Sequence, residues 1–213
     1  AGVRVTGVDA SDGWSLTRAE MEGRQQLEWV IAQLRNVPGF EKCYIVDIAA
    51  QIGVRETRRI YGEHILQEHE VLEGVRFPDA IAQGTYPVDI HNPLRRGIIF
   101  KEIDGTMREI LEDGSMKRGF WTPDGKMRDT ICYQIPYRCL VPKGIDNALA
   151  AGRCISATHE AAGAARVMMN CMQFGQAAGT AAALCAESGV QPRNLDPAVL
   201  RTRLEGLGCR FLT

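Results

Sequence analysis

Residues 148–187, ALAAGRCISATHEAAGAARVMMNCMQFGQAAGTAAALCAE, constrain the fold more than any other stretch. The run Ala148–Ala151 is short, apolar and closed by a glycine, which predicts a buried strand. Gly152 and Arg153 break it. Further on, Gly175 to Leu184 is built almost wholly from small residues, mostly alanine, the best helix former. Gly175 and Gly179 each cost such a helix about 1 kcal/mol relative to alanine. Four apart, they fall on one face and leave it without side chains. Two readings stand side by side. The helix packs its bare face tightly on a neighbour, or it aims its N-terminus at a ligand, where free amides and the helix dipole favour negative charge.

Other features narrow the class. The formal net charge of −1 provides no basic footprint for nucleic acid or an anionic membrane. No apolar run approaches the roughly 20 residues of a membrane span. Seven scattered cysteines without a C-x-x-C pair point to reduced thiols and a cytoplasmic setting. The four histidines lack metal-ligand spacing, so no metal site is expected. There is no G-x-G-x-x-G, the phosphate-binding turn of a dinucleotide fold.

Along the chain, residues 2–8 alternate loosely and predict a strand. Thr17–Glu20 has the form of a capping box and opens a helix to about Asn36, with Leu27, Val30, Ile31 and Leu34 on one stripe. Residues 43–49 predict a second strand, 67–73 a short helix, and 77–84 a brief helix. Residues 86–91 predict a strand ending at His91. Asp104–Gly105, Asp113–Gly114 and Asp124–Gly125 separate short runs between 97 and 139, the strongest short-range hairpin signal, and predict an antiparallel meander of three or four strands. A last helix runs from about Pro197 to Glu205.

Candidate chemistry lies in a few side chains. Arg55, Arg58 and Arg59 form a basic cluster; extended, it would point Arg58 and Arg59 to opposite sides, so one of them could clamp a carboxylate. His91, at a strand end, has an ordinary pKa suited to proton transfer. Tyr137 lies in a loop before the Ala148 run, open to a ligand role or to core packing. His159 and Arg166, seven apart, share a helical face if the segment between them is helical.

Two blocks carry a resemblance. PYRCLVPKGIDNALAAGRCIS with the following RVMMNCMQFGQAAGTAAAL, and the upstream AQIGVRETRRI at 50–60, resemble the C-terminal signature of FAD-dependent oxidoreductases of the glutathione-reductase-like flavoprotein superfamily. The resemblance implies FAD as cofactor, with Gly152, Arg153, Gln176, Ala177 and Gly179 as its contacts. Beside such a cofactor, the chemistry of the side chains themselves makes Arg58, Arg59 and His91 the catalytic candidates and Tyr137, His159 and Arg166 the candidates to meet a small-molecule substrate. The implied fold is α/β to α+β. Residues 1–139 would be a substrate-side region with an antiparallel sheet, and residues 140–213 the C-terminal part of an FAD/NAD(P)-binding domain. The N-terminal Rossmann half, bearing the phosphate turn, is expected to be missing. The alternative is a non-catalytic fragment or interaction domain that binds no FAD by itself. Met169 and Asn170 stand where the family often has proline and threonine.

Overall fold

The computed structural model describes residues 3–92 and 97–212. The chain divides into two compact units, Ala1–Arg58 and Arg59–Thr213.

The first unit is a helix with extended chain laid along it. Helix α1 (Gly13–Leu34) starts one turn earlier than the Thr17 box implies, because Asp12 caps it by accepting from the Ser15 amide. Thr17 instead bonds back to Gly13 O at 2.8 Å. The strands expected at 2–8 and 43–49 are absent among the described residues of this unit. A strand needs a ladder, and here helix side chains take that place. The Arg4 amide donates to Gln26 Oε1 at 3.3 Å, the Ile52 amide donates to the Glu20 carboxylate, and Arg35 Nε donates to Cys43 O at 3.0 Å. Leu27, Val30, Ile31 and Leu34 are each only half-buried.

The second unit is mixed α/β with antiparallel sheets. A four-stranded meander follows chain order: β2 (Val88–His91), β3 (Gly97–Lys101), β4 (Thr106–Leu111), β5 (Met116–Phe120). Two of the three Asp-Gly pairs turn its hairpins. Asp104 Oδ1 accepts from both the amide and the hydroxyl of Thr106, and Asp113 Oδ1 does the same for Ser115. Gly105 and Gly114 supply the positive φ, 93° and 82°. Asp124–Gly125 turns a loop beyond the sheet instead.

A separate two-stranded ladder pairs β1 (Ala80–Gly84) with β6 (Tyr133–Pro136). Part of the segment expected as a brief helix at 77–84 is therefore strand. Its partner lies some fifty residues away, a contact that no local pattern reveals. Helix α2 (Glu68–Leu72) forms as expected, closed by a capping box between Gln67 and Glu70.

After β6 come α3 (His159–Ala165), α4 (Met168–Ser188) and α5 (Pro197–Gly206). Residues 148–151 do not form the expected strand; Ala150 N–H reaches Leu140 O at 2.9 Å and the run is otherwise irregular. The core lies between α4 and its neighbours β1 and α5. Phe174, Ala177 and Ala181 of α4, Tyr133 and Ile135 of β6, and Leu200 and Leu204 of α5 are fully buried. Helix α3 lies on β2 at Gly163, where a Cβ would stand 2.8 Å from Asp89 O.

Candidate functional site

Residues 60–66 form a strap that joins the two diagnostic sequence blocks. The Ile60 amide donates to Cys154 O at 2.9 Å, and the Leu66 amide to Ser156 O at 3.1 Å. The Gly62 amide donates to Ser156 Oγ at 3.0 Å. A side chain at Gly62 has no room, since its Cβ would lie 2.7 Å from Ser156 Cβ. Arg59 therefore adjoins the turn at Gly152–Arg153. Gly152 has φ 91°, which disfavours any other residue, and nothing lies within 4 Å of where its Cβ would be. Arg153 is exposed.

This turn lies beside the first turn of α4. Burial pushes the Cys171 thiol up, the Arg153 guanidinium opposes that shift, and the neighbouring Cys154 thiol adds to it. Cys154 Sγ donates to Ala151 O at 3.4 Å.

Helix α4 begins at Met168, seven residues before Gly175. The amides without an intrahelical acceptor are therefore those ahead of Cys171, whose N–H already reaches Val167 O at 3.0 Å. Gly175–Gly179 is helix interior, so its N–H groups point back along the helix. The sequence conceals this start because Val167 is no capping residue. It makes no side-chain cap, and the first turn holds no acid. Asp12, Thr158 and Asp196 cap α1, α3 and α5 with their side chains.

The outer face of α4 is open. Met168 is 83% exposed and Met172 69%. Gly175, Gln176 and Gly179 continue that face, and nothing lies within 4 Å of a Cβ built on either glycine. Ala177 is on the opposite, buried face, at 0% exposure. Of the expected helix contacts, Gln176 and Gly179 are thus accessible, while Ala177 is turned into the core.

The remaining candidates divide. Arg166, the residue after α3, donates through an Nη atom to Asp89 O of β2 at 2.7 Å. Asp89 is buried and its Oδ2 accepts from Tyr86 Oη at 3.0 Å. His91 ends β2, exposed and on the same strand face as Asp89. Arg166 thus links β2, at its second residue, to the α3–α4 junction. His159 is the first residue of α3 and Arg166 follows its last, so they lie about 10 Å apart along the axis. Tyr137 is buried in a short 3-10 helix, and its hydroxyl donates to Pro192 O at 3.0 Å, which commits it to packing. Arg58 is an exposed residue at the end of the first unit.

Two residues escaped the sequence reading: Asn170 in the first turn of α4 and Tyr133 in β6. Their contact is described below. The only hint in the sequence was that Asn170 departs from the family's usual residue. Among the described residues no group of histidine, cysteine and acidic side chains could hold a metal ion. All seven cysteines are free.

An uncapped helix start beside a glycine–arginine turn, in a mixed α/β unit, is compatible with a segment of a flavin-binding protein. The family model for FAD dependent oxidoreductases matches residues 2–204, and the chain belongs to that family. No curated protein and no solved structure matches the chain. No helix among the described residues is long and apolar enough to cross a membrane.

Proposed function

We propose that the chain is the C-terminal portion of an FAD-dependent oxidoreductase that oxidises a small polar or anionic substrate. The observation that carries this reading is the uncapped start of α4, free of acids, beside Gly152 and Arg153. These residues suit the group chemically. Amides and a guanidinium are donors for the pyrimidine edge of the flavin, which becomes electron-rich on reduction. FAD, when bound, supplies the acceptor for a hydride.

The chain's own residues do the rest. Arg153 and the first amides of α4 hold the electron-rich edge, and Gly152 lets the backbone come close. Gln176 and Gly179 line the approach along the open face of α4. Arg59 and Arg166 orient an anionic substrate group, and His159 adds a polar contact; Arg58 remains a separate candidate for the same chemistry. His91 accepts, at a ring nitrogen, the proton of the substrate's O–H or N–H as the adjacent carbon gives up its hydride. Residues 1–139 form the substrate side and 140–213 the cofactor side. The phosphate turn comes from a dinucleotide-binding segment outside these residues, and the reduced thiols suit the cytoplasm.

The lack of a G-x-G-x-x-G favours a second reading, a fragment or interaction domain that binds no FAD by itself. Titrating the purified chain with FAD, alone and with the dinucleotide-binding segment joined to its N-terminus, separates the two. Quenched flavin fluorescence that is lost in Arg153→Ala supports the flavoenzyme. A joined protein that stays colourless overturns it.

A further inference from the structure

One buried hydroxyl holds the start of α4 in place. Asn170 is the third residue of that helix and is 3% exposed. Its Nδ2 donates to Tyr133 Oη at 3.1 Å. Tyr133 Oη in turn donates to Ala164 O, in the last turn of α3, also at 3.1 Å. A single phenol therefore ties β6, the end of α3 and the first turn of α4 to one point. The hinge it spans, Arg166–Val167, is the link between the two helices.

The neighbouring strand is shaped for this ring. Gly84 pairs with Tyr133 across the β1–β6 ladder. A Cβ on Gly84 would lie 2.4 Å from both Tyr133 Cζ and Oη, so glycine there gives the ring its seat. Burial also keeps the phenol protonated, its pKa pushed far above the ordinary value. It thus remains both a donor to Ala164 and an acceptor from Asn170 at all physiological pH values.

We propose that Tyr133 and Asn170 are positioning residues that fix the direction in which the first amides of α4 point, and thereby tune the electron affinity of the bound flavin. This rests on the flavoenzyme reading above. Neither side chain needs to touch the flavin; both act through the backbone of residues 168–170. Without the phenol, Asn170 Nδ2 loses its acceptor and the first turn of α4 loses its side-chain tie to β6, leaving the hinge to the Arg166–Asp89 bond and the backbone. The first amides then spread over a wider range of directions and stabilise the reduced, electron-rich ring less well.

The test compares Tyr133→Phe with Leu200→Ala, a core change in α5 that serves as a control for general destabilisation. In the flavin-free chain, amide exchange at Cys171, the first intrahelical bond of α4, is expected to rise roughly tenfold in Tyr133→Phe, beyond any change at α5. Leu200→Ala should show the reverse pattern. In the FAD-loaded full protein, the midpoint potential of the flavin should fall in Tyr133→Phe and in Asn170→Ala, and stay at the parent value in Leu200→Ala. Uniform exchange changes across all helices, or an unchanged potential in both clamp variants, would overturn the proposal. A parent protein that takes up no FAD sinks the flavoenzyme reading and the flavin part of this one, while the exchange result still decides whether the clamp exists.

Discussion

The two units treat apolar residues in opposite ways. Of the described residues among the first 58, Ala19 alone is buried, and Trp14 and Trp29 of α1 are 77% and 64% exposed. In residues 59–213 a continuous core runs from Leu66 to Leu204, and it includes the fully buried Tyr133, Ile135, Leu140, Phe174 and Leu200. Both stretches contain helices with apolar stripes. The difference lies in what each stripe meets. Helix α4 meets a strand and a second helix, whereas among the described residues of its own unit α1 has only extended chain beside it, held by polar bonds. Amphipathic spacing produces a helix, but only a second layer produces a core.

That contrast can be broken or sharpened, and the largest effect should come from alkali. Burial pushes the Tyr133 and Tyr137 phenols and the Cys139 thiol well above their ordinary values of 10.0, 10.0 and 9.0. The folded unit keeps these protons while the unfolded chain releases them. Their contribution is complete below about pH 9 and declines as pH rises beyond the unfolded values. Thermal melts of residues 59–213 taken upward from pH 8 should therefore fall steeply above pH 9–10. A flat profile to pH 11 would show that these groups are not sealed in.

Phe174→Ala, at the centre of the α4 core, should cost about 3–5 kcal/mol in urea unfolding. Gly163→Ala should cost about 1–3 kcal/mol, because its methyl meets the Asp89 carbonyl and the backbone there must move. Gly175→Ala and Gly179→Ala should go the other way. Nothing crowds either position, so each should stabilise the flavin-free chain by about 0.8–1 kcal/mol through helix propensity. If the open face receives FAD or the segment that carries it, the same changes should weaken FAD uptake. Stabilisation with unaltered uptake would remove that face from the site. The smallest effect belongs to the first unit. Leu27→Ala, half-buried, should cost less than about 1 kcal/mol by helix signal. A loss as large as that of Phe174→Ala would mean that α1 has a packed partner.

The turn chemistry was legible because it is local. Asp-Gly followed by threonine or serine makes its own bonds, and both such pairs between 97 and 139 became hairpins. Position within a layer was not legible. Asp124–Gly125 has the same dipeptide but leads into a loop, since no strand follows it in the sheet. Ala80–Gly84 read as helix because its strand partner at Tyr133–Pro136 is remote. At the site, the glycine–arginine turn and the basic RETRRI block could be named from the sequence, but their meeting through the Ile60–Cys154 bond could not.

By itself, the sequence determined the family, the long helix of small residues and the meander, because motifs, alanine content and turn residues act over a few neighbours. Only the tertiary structure decided where α4 starts, which of its faces is open, and that Tyr133 and Asn170 share a bond. Those outcomes depend on which distant backbone groups and side chains come within hydrogen-bonding reach once the layers pack, and no local pattern encodes that.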